Sequence, residues 1–267
     1  MDSSDISFLA ELFQNANSGV QVALLVVACA IVVLCVIAFI VSIYLSIAYV
    51  KYNRVENSAG INGEEAARKV LDANGLENIK VKVVGSLLFG NSYSHYFKKV
   101  RLRRWTIKKT SVASLAMGTQ KAALAVLDKE DDPDMRNRVR MVPIISFGPL
   151  AFIPLVIVGV LIDVLVCNSE GTVTIVLCCL GAAFYVLSFI MSLLTLKTEK
   201  KAQERAYVLL RENGMATEEE IGMMKRLFHL YNIEYVNDMI LSTLELIYYV
   251  LKLVAMAQGK GGAASTN

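Results

Sequence analysis

The sequence predicts an α-helical membrane protein with three to four transmembrane helices and a small α+β cytoplasmic domain. Three observations predict it. Apolar residues make up 55% of the 267 residues, and mean hydropathy is +0.50. An ordinary soluble domain of this size is more polar. Several apolar runs exceed the roughly 20 residues a helix needs to cross a bilayer. Positive charge collects between the first two runs: residues 51–140 carry 18 Lys and Arg against 10 Asp and Glu.

The first span is placed at residues 20–50. The sequence is uncharged from Leu12 to Val50. The preceding stretch, 1–19, carries Asp2, Asp5 and Glu11 and no Lys or Arg. A secretory signal has a basic flank and a shorter apolar core, so this run reads as a span. The second span, 141–166, is interrupted only by Asp163 near its outer end, where snorkelling or one hydrogen bond is enough. Pro143, Pro149 and Pro154 predict a kinked or partly broken start to it. The third, 173–196, is uncharged and follows a short turn, so spans two and three form an antiparallel hairpin. A fourth segment, 234–258, places Asp238, Ser242, Glu245, Tyr249 and Lys252 on one helical stripe. Such a helix spans with its stripe against protein, or lies in the interface. Residues 259–267 read as a flexible tail.

Lys and Arg are retained on the cytoplasmic side of a membrane. The domain 51–140 is therefore cytoplasmic and the N-terminus outside. Spans two and three go out and return, which makes 197–233 cytoplasmic as well. That segment carries Lys197, Lys200, Lys201, Arg205, Arg211, Lys225 and Arg226, in keeping with the assignment.

Local signals set the elements of the cytoplasmic domain. Asn62-Gly-Glu-Glu65 is a capping box, opening a helix that stops near Gly75. Ile79–Val84 alternates as a strand does, and a second strand candidate lies at Phe97–Leu102. The two suggest a hairpin or small sheet. An Ala-rich helix covers Ser111–Leu127, followed by an acidic loop from Asp128 to Asp134. A helix from Glu199 to Asn213 ends at Gly214, and Thr217-Glu-Glu-Glu220 opens another, running towards Tyr231. The five cysteines show no C-x-x-C spacing and read as small apolar side chains. The basic run Lys98, Lys99, Arg101, Arg103, Arg104, Lys108 and Lys109 predicts contact with anionic lipid headgroups. Beside a membrane that accounts for the charge without nucleic acid as a partner.

Three segments together resemble the membrane neutral zinc metallopeptidase family, the YugP-like proteins of bacteria. Ser58-Ala-Gly60, then Gly63-Glu-Glu-Ala-Ala-Arg-Lys-Val-Leu-Asp-Ala-Asn-Gly-Leu76, is similar to the family's segment after its first span. Arg138-Val-Arg-Met-Val-Pro143 is similar to the start of its second span. Glu199-Lys-Lys-Ala-Gln-Glu-Arg-Ala206 is similar to the helix after its third. The resemblance implies a cytoplasmic domain like that of a zincin-type peptidase. It also implies an H-E-x-x-H helix, whose histidines hold zinc while the glutamate serves as general base. A glutamate after the third span is the expected third ligand.

The corresponding helix here lacks that motif. The best register places Gln120, Lys121 and Leu124 at the His, Glu and His positions; a slip of one residue places Thr119, Gln120 and Ala123 there. The chain's two histidines are His95 and His229. Zinc takes thiolate, imidazole or carboxylate ligands, and Lys cannot replace a carboxylate base. Glu199 is the retained third-ligand position. Two readings of Lys121 stand side by side: a salt bridge to Glu199 in place of the metal, or a solvated lysine with Glu199 as an interfacial charge. The sequence thus reads as a catalytically inactive, membrane-embedded pseudopeptidase needing no cofactor, a scaffold or regulatory partner. Its expected partners are membrane lipids and an active paralogue or a second copy of itself. A zinc metallopeptidase with an unorthodox site, which would need zinc, and a transport component are the alternatives.

Overall fold

The computed structural model describes residues 18–84, 90–167 and 172–264; within them the side chains of some helical residues, 142–153 chief among these, lie outside the description. The elements are α1 Ser18–Tyr52, α2 Gly63–Ala73, β1 Lys80–Val83, β2 Ser92–Ser94, β3 Lys99–Leu102, α3 Arg104–Lys108, α4 Val112–Lys129, α5 Pro133–Ile162, α6 Thr172–Glu212 and α7 Glu218–Ala264. The chain is mostly helical with one small sheet. The residues group into two compact units, one from the described parts of 1–40, 146–189 and 236–267, the other from 41–145 and 190–235.

The first unit is apolar on its outside. Val22, Val26, Val32 and Phe39 on α1, and Ile175, Val176 and Val186 on α6, are all more than half exposed. A helix apolar all round and exposed suits hydrocarbon, where its backbone is satisfied internally. Among the described residues, two helices are long and apolar enough to cross a membrane, Gly19–Tyr52 and Thr172–Glu212. That is fewer than the three to four expected. The runs at 141–166 and 234–258 fall partly outside the described side chains.

Asp163 opens a π-helical turn, Asp163–Cys167, at the end of α5. It is buried, and its carboxylate accepts hydrogen bonds from Val173 N at 3.0 Å, Thr174 N at 2.7 Å and Thr174 Oγ1 at 2.6 Å. An acid here satisfies amides that the first turn of α6 would otherwise leave bare. Helix α5 runs through Pro143, Pro149 and Pro154 without a break, contrary to the expected interruption. A proline removes one hydrogen bond, but its φ remains helical.

The second unit is an α+β domain. Asn62 caps α2 by accepting from Glu64 N and Glu65 N, while Glu65 Oε2 accepts from Asn62 N at 2.8 Å. Helix α2 ends at Gly75 (φ +62) and α6 at Gly214 (φ +59). In each case the glycine and the residue after it donate back to the last turn, Leu76 N to Leu71 O at 2.9 Å and Met215 N to Leu210 O at 2.9 Å. The left-handed turn suits glycine. The sheet order is β1-β3-β2. β1 pairs with β3 in parallel, Val81 opposite Val100, and β2 pairs antiparallel with β3. The expected strands Ile79–Val84 and Phe97–Leu102 therefore join as a small sheet and not as a hairpin, because they run parallel and β3 takes its antiparallel partner from β2.

Helix α4 is the centre of this unit. Every residue from Val112 to Leu127 is buried. Ser111 caps it, its Oγ accepting from Ser114 N at 3.2 Å. Around it pack Ala66, Val70 and Leu71 of α2, Val100 and Leu102 of β3, Ala202, Ala206 and Leu210 of α6, and Met224 and Leu227 of α7. The sequence divides 197–258 into shorter helices beginning at Glu199 and Thr217. In the structure Glu199 instead lies deep within the 41-residue α6, and α7 continues unbroken to Ala264. The face of α6 that carries Lys197, Lys201 and Arg205 turns to the acidic segment before α5. Lys197 meets Asp134 at 2.8 Å, Arg205 meets Glu130 at 2.7 Å, and Lys201 pairs with Asp132.

Two glycines allow α4 to sit this deep. A Cβ on Gly118 would meet the Gly63 carbonyl oxygen at 2.3 Å, and one on Gly63 would meet the Thr106 carbonyl oxygen at 2.3 Å. Gly118→Ala should therefore destabilise the protein by about 1–3 kcal/mol or more. Gly222→Ala, with nothing within 4 Å of the added Cβ, should be neutral or stabilising by up to about 1 kcal/mol. Thermal midpoints in non-ionic detergent would separate the two.

Candidate functional site

Helices α4 and α6 and the start of α5 converge on one carboxylate. Glu199 lies one turn before Ala202 on the buried face of α6, and its side chain is 18% exposed. Lys121 Nζ donates to Glu199 Oε2 at 2.8 Å, and Gln120 Nε2 donates to the same oxygen at 2.6 Å. Arg138 Nη2 meets Oε1 at 2.7 Å. Lys121 and Arg138 are 11% and 14% exposed at the side chain, so neither interaction is a fully solvated surface pair. Burial alone would raise the pKa of Glu199. The charges of Lys121 and then Arg138, together with their hydrogen bonds, outweigh it and hold the group down at about 2.

Gln120 and Lys121 therefore face Glu199, whereas Leu124 is fully buried in the apolar core. In the slipped register, Thr119 and Ala123 are also fully buried. The sequence offered Lys121 and Glu199 as a pair but did not single out Arg138 as the second cation. Acceptor capacity could have pointed to it, since a buried carboxylate whose one oxygen meets a lysine has a second oxygen to satisfy. The histidines lie elsewhere. His95 Nδ1 is 2.7 Å from Asp128 Oδ2, which also accepts from Tyr93 OH at 2.7 Å. His229 lies beside Tyr207, Lys225 and Asn232.

A cavity of about 1060 Å³ opens beside Glu199. Its wall includes the end of α1 at Leu45 and Tyr49, Trp105 of α3, Met117 of α4 and Phe228 and Tyr231 of α7. Side-chain bonds tie its helices together. Gln203 and Asn232 exchange two 2.9 Å hydrogen bonds, and Ser42 Oγ donates to Glu234 at 2.9 Å. Of the basic run, Lys98, Arg101, Arg103, Arg104 and Lys108 are exposed and Lys99 and Lys109 half-buried. Tyr96, Phe97 and Trp105 stand exposed among them, with Lys99 over Phe97 and Lys109 over Trp105.

The profile of the family described as "Putative neutral zinc metallopeptidase" matches residues 27–254. The chain belongs to that family. The "Putative membrane protease YugP" of Bacillus subtilis (strain 168) is 25% identical over 205 residues, which is 75% of this chain and 84% of the relative. No solved structure matches the chain.

Whether this member of the zinc metallopeptidase family could hold a zinc turns on its donors. The partners of Glu199 among the described residues are hydrogen donors: an ammonium, a guanidinium and an amide. Zinc needs lone pairs from thiolate, imidazole or carboxylate. These residues do not fit the metal. Among the described residues, no group of three or more His, Cys, Asp or Glu is placed to hold one elsewhere.

Replacing Glu199 with Gln leaves two buried cations facing each other and should cost about 3 kcal/mol or more. The wild-type advantage is expected to depend on pH. The folded carboxyl titrates at about 2 against an ordinary value of 4.5. A depressed folded pKa gives stability that is present above the unfolded value and lost as pH falls towards the folded one. The difference in thermal midpoint between wild type and Glu199→Gln should thus be constant near neutrality and shrink below about pH 4.5. A difference that is flat down to pH 3 would contradict the assignment.

Proposed function

We infer that this chain is an integral membrane pseudopeptidase: a family member without peptidase chemistry that serves as a scaffold or regulatory partner. The observation that carries the reading is the Lys121–Glu199–Arg138 cluster. A metallopeptidase of this kind needs a metal-bound water and a general base. At the position of the base stands Lys121, an ammonium already engaged by Glu199. At the flanking motif positions stand an amide, Gln120, that donates to the same carboxylate and an alkyl side chain, Leu124, sunk in the core. The ion pairs join α4, α5 and α6 as a metal would, without supplying its reactivity.

The membrane arrangement proposed is three to four spans. α1 and the first half of α6 are two of them, and the segments 141–166 and 234–258 are the candidates for the others. The retention of Lys and Arg on one side assigns 51–140 and 197–233 to the cytoplasm and the N-terminus to the outside. The basic run from Lys98 to Lys109 suits contact with anionic headgroups, and its exposed Tyr96, Phe97 and Trp105 suit the interface. An active paralogue or a second copy of this chain is the protein partner that a non-catalytic member would regulate.

Metal content tests the reading. Purified protein and its Glu199→Ala variant should both hold far less than one zinc per chain by elemental analysis. Stoichiometric zinc that disappears in the variant would instead show a site rebuilt around Glu199 and restore the metallopeptidase reading.

A further inference from the structure

The pleat of the small sheet sorts its side chains onto two faces. Val81, Tyr93 and Val100 turn to the core around α4. Lys80 and Lys82 of β1, Lys99 and Arg101 of β3, and Ser92 and Ser94 of β2 turn the other way, as alternation along a strand requires. The pairing sets them in two rows: Lys80, Lys99 and Ser94, then Lys82, Arg101 and Ser92. Lys80, Lys82 and Arg101 are exposed and Lys99 is half-buried. Among the described residues, none of these four cations has a carboxylate partner.

Lysine on an edge strand is an ordinary guard against aggregation, which would account for Lys80 and Lys82 alone. It does not account for the central strand. β3 lies between β1 and β2, and its Lys99 and Arg101 stand directly opposite Lys80 and Lys82. Like charges placed opposite each other weaken a sheet. A face that keeps four of them, with no anion of its own, is complementary to an anion from outside.

We propose that this face docks an extended acidic segment of a partner protein, with Asp or Glu at alternate positions. Spacing favours that occupant. Residues two apart on a strand lie about 6.6 Å apart, and neighbouring strands about 4.8 Å apart. Acidic side chains at every second position of an extended segment repeat at the same interval. Laid along the strands, such a segment sets one carboxylate by Lys80 and Lys99 and the next by Lys82 and Arg101. A nucleic acid would want aromatic rings on the face for its bases, and the two rows hold none. Position disfavours a lipid surface. Gly90 and Asn91, just before β2, line the cavity with Tyr49 and Val50 at the end of α1, a helix apolar enough to cross a membrane. β1 lies two strands from β2, a separation of about 10 Å, beyond the screening length of about 8 Å at physiological salt. The rest of the basic run, from Arg103 to Lys109, follows β3 and keeps its headgroup contact. The proposal rests on the pseudopeptidase reading in one respect: a non-catalytic member acts by holding a partner.

The full chain in non-ionic detergent would be mixed with a fluorescein-labelled peptide of alternating Glu and Thr, and binding followed by anisotropy. Saturable binding is expected, at least about threefold tighter than for a peptide of the same composition with its Glu residues in one block. Lys82→Glu with Arg101→Glu should weaken it at least about tenfold. Lys82→Gln with Arg101→Gln, which adds no opposing charge, should weaken it at least about threefold and serves if the first pair fails to fold. Arg104→Glu with Lys108→Glu, exposed on α3 and off the face, should leave it within about twofold. Phosphatidylglycerol added to the micelles should not displace the peptide. No saturable binding, equal affinity for the blocked peptide, or an equal loss in the Arg104 and Lys108 variant would overturn the proposal. Displacement by phosphatidylglycerol would overturn it too and make a lipid surface the occupant. Zinc measured in the same preparations bears on the pseudopeptidase reading alone, so the two can fail separately.

Discussion

Residues Val112–Leu127 of α4 can be buried on every face only because the one charge among them, Lys121, is answered within the fold. An ammonium in a low-dielectric interior is stable when a carboxylate meets it and costly when none does. Lys121 has Glu199 at 2.8 Å, and Glu199 has Arg138 at 2.7 Å on its other oxygen. The chain of charges passes from α4 through α6 to the beginning of α5, so three helices are oriented by one carboxylate. The close backbone crossing at Gly63 and Gly118 fixes the other side of α4. Between these constraints the helix has little freedom to slide or turn.

The same cluster sets the charge around Glu199. Here Lys121, Arg138 and the amide nitrogen of Gln120 all present hydrogens, and all three engage Glu199. Two cations for one carboxylate leave residual positive charge.

Local signals were the legible part of this sequence. The capping box at Asn62 and Glu65 and the terminators Gly75 and Gly214 involve residues a few positions apart, and the backbone bonds follow directly. Strand direction was not legible, because the parallel pairing of Val81 with Val100 joins two strands that β2 separates along the chain, and no local signal specifies it. The helix start at Thr217 was legible, since its capping box with Glu220 forms and α7 begins at Glu218, whereas Glu199, a charged residue in mid-helix, only looks like a boundary. Charge on one face interrupts hydropathy without interrupting the backbone, and α6 meets it with Asp132, Asp134 and Glu130. At the candidate site, the unusual residues on α4 could be read against the family pattern. Their contacts could not, since a solvated lysine and an ion-paired one are spelled alike. Arg138 stands in the segment similar to the start of the second span, but nothing local there shows that its guanidinium reaches Glu199 on α6.

A double-mutant cycle between Lys121 and Glu199 tests most directly whether the ion pair joins the helices. Unfolding would be measured in detergent for Lys121→Met, Glu199→Gln and the double variant. The expected coupling is about 1–3 kcal/mol, with the double variant much less destabilised than the two single effects combined. Additive effects, with coupling near zero, would mean that the two side chains lie close without supporting each other, and the cluster would lose its place at the centre of the fold.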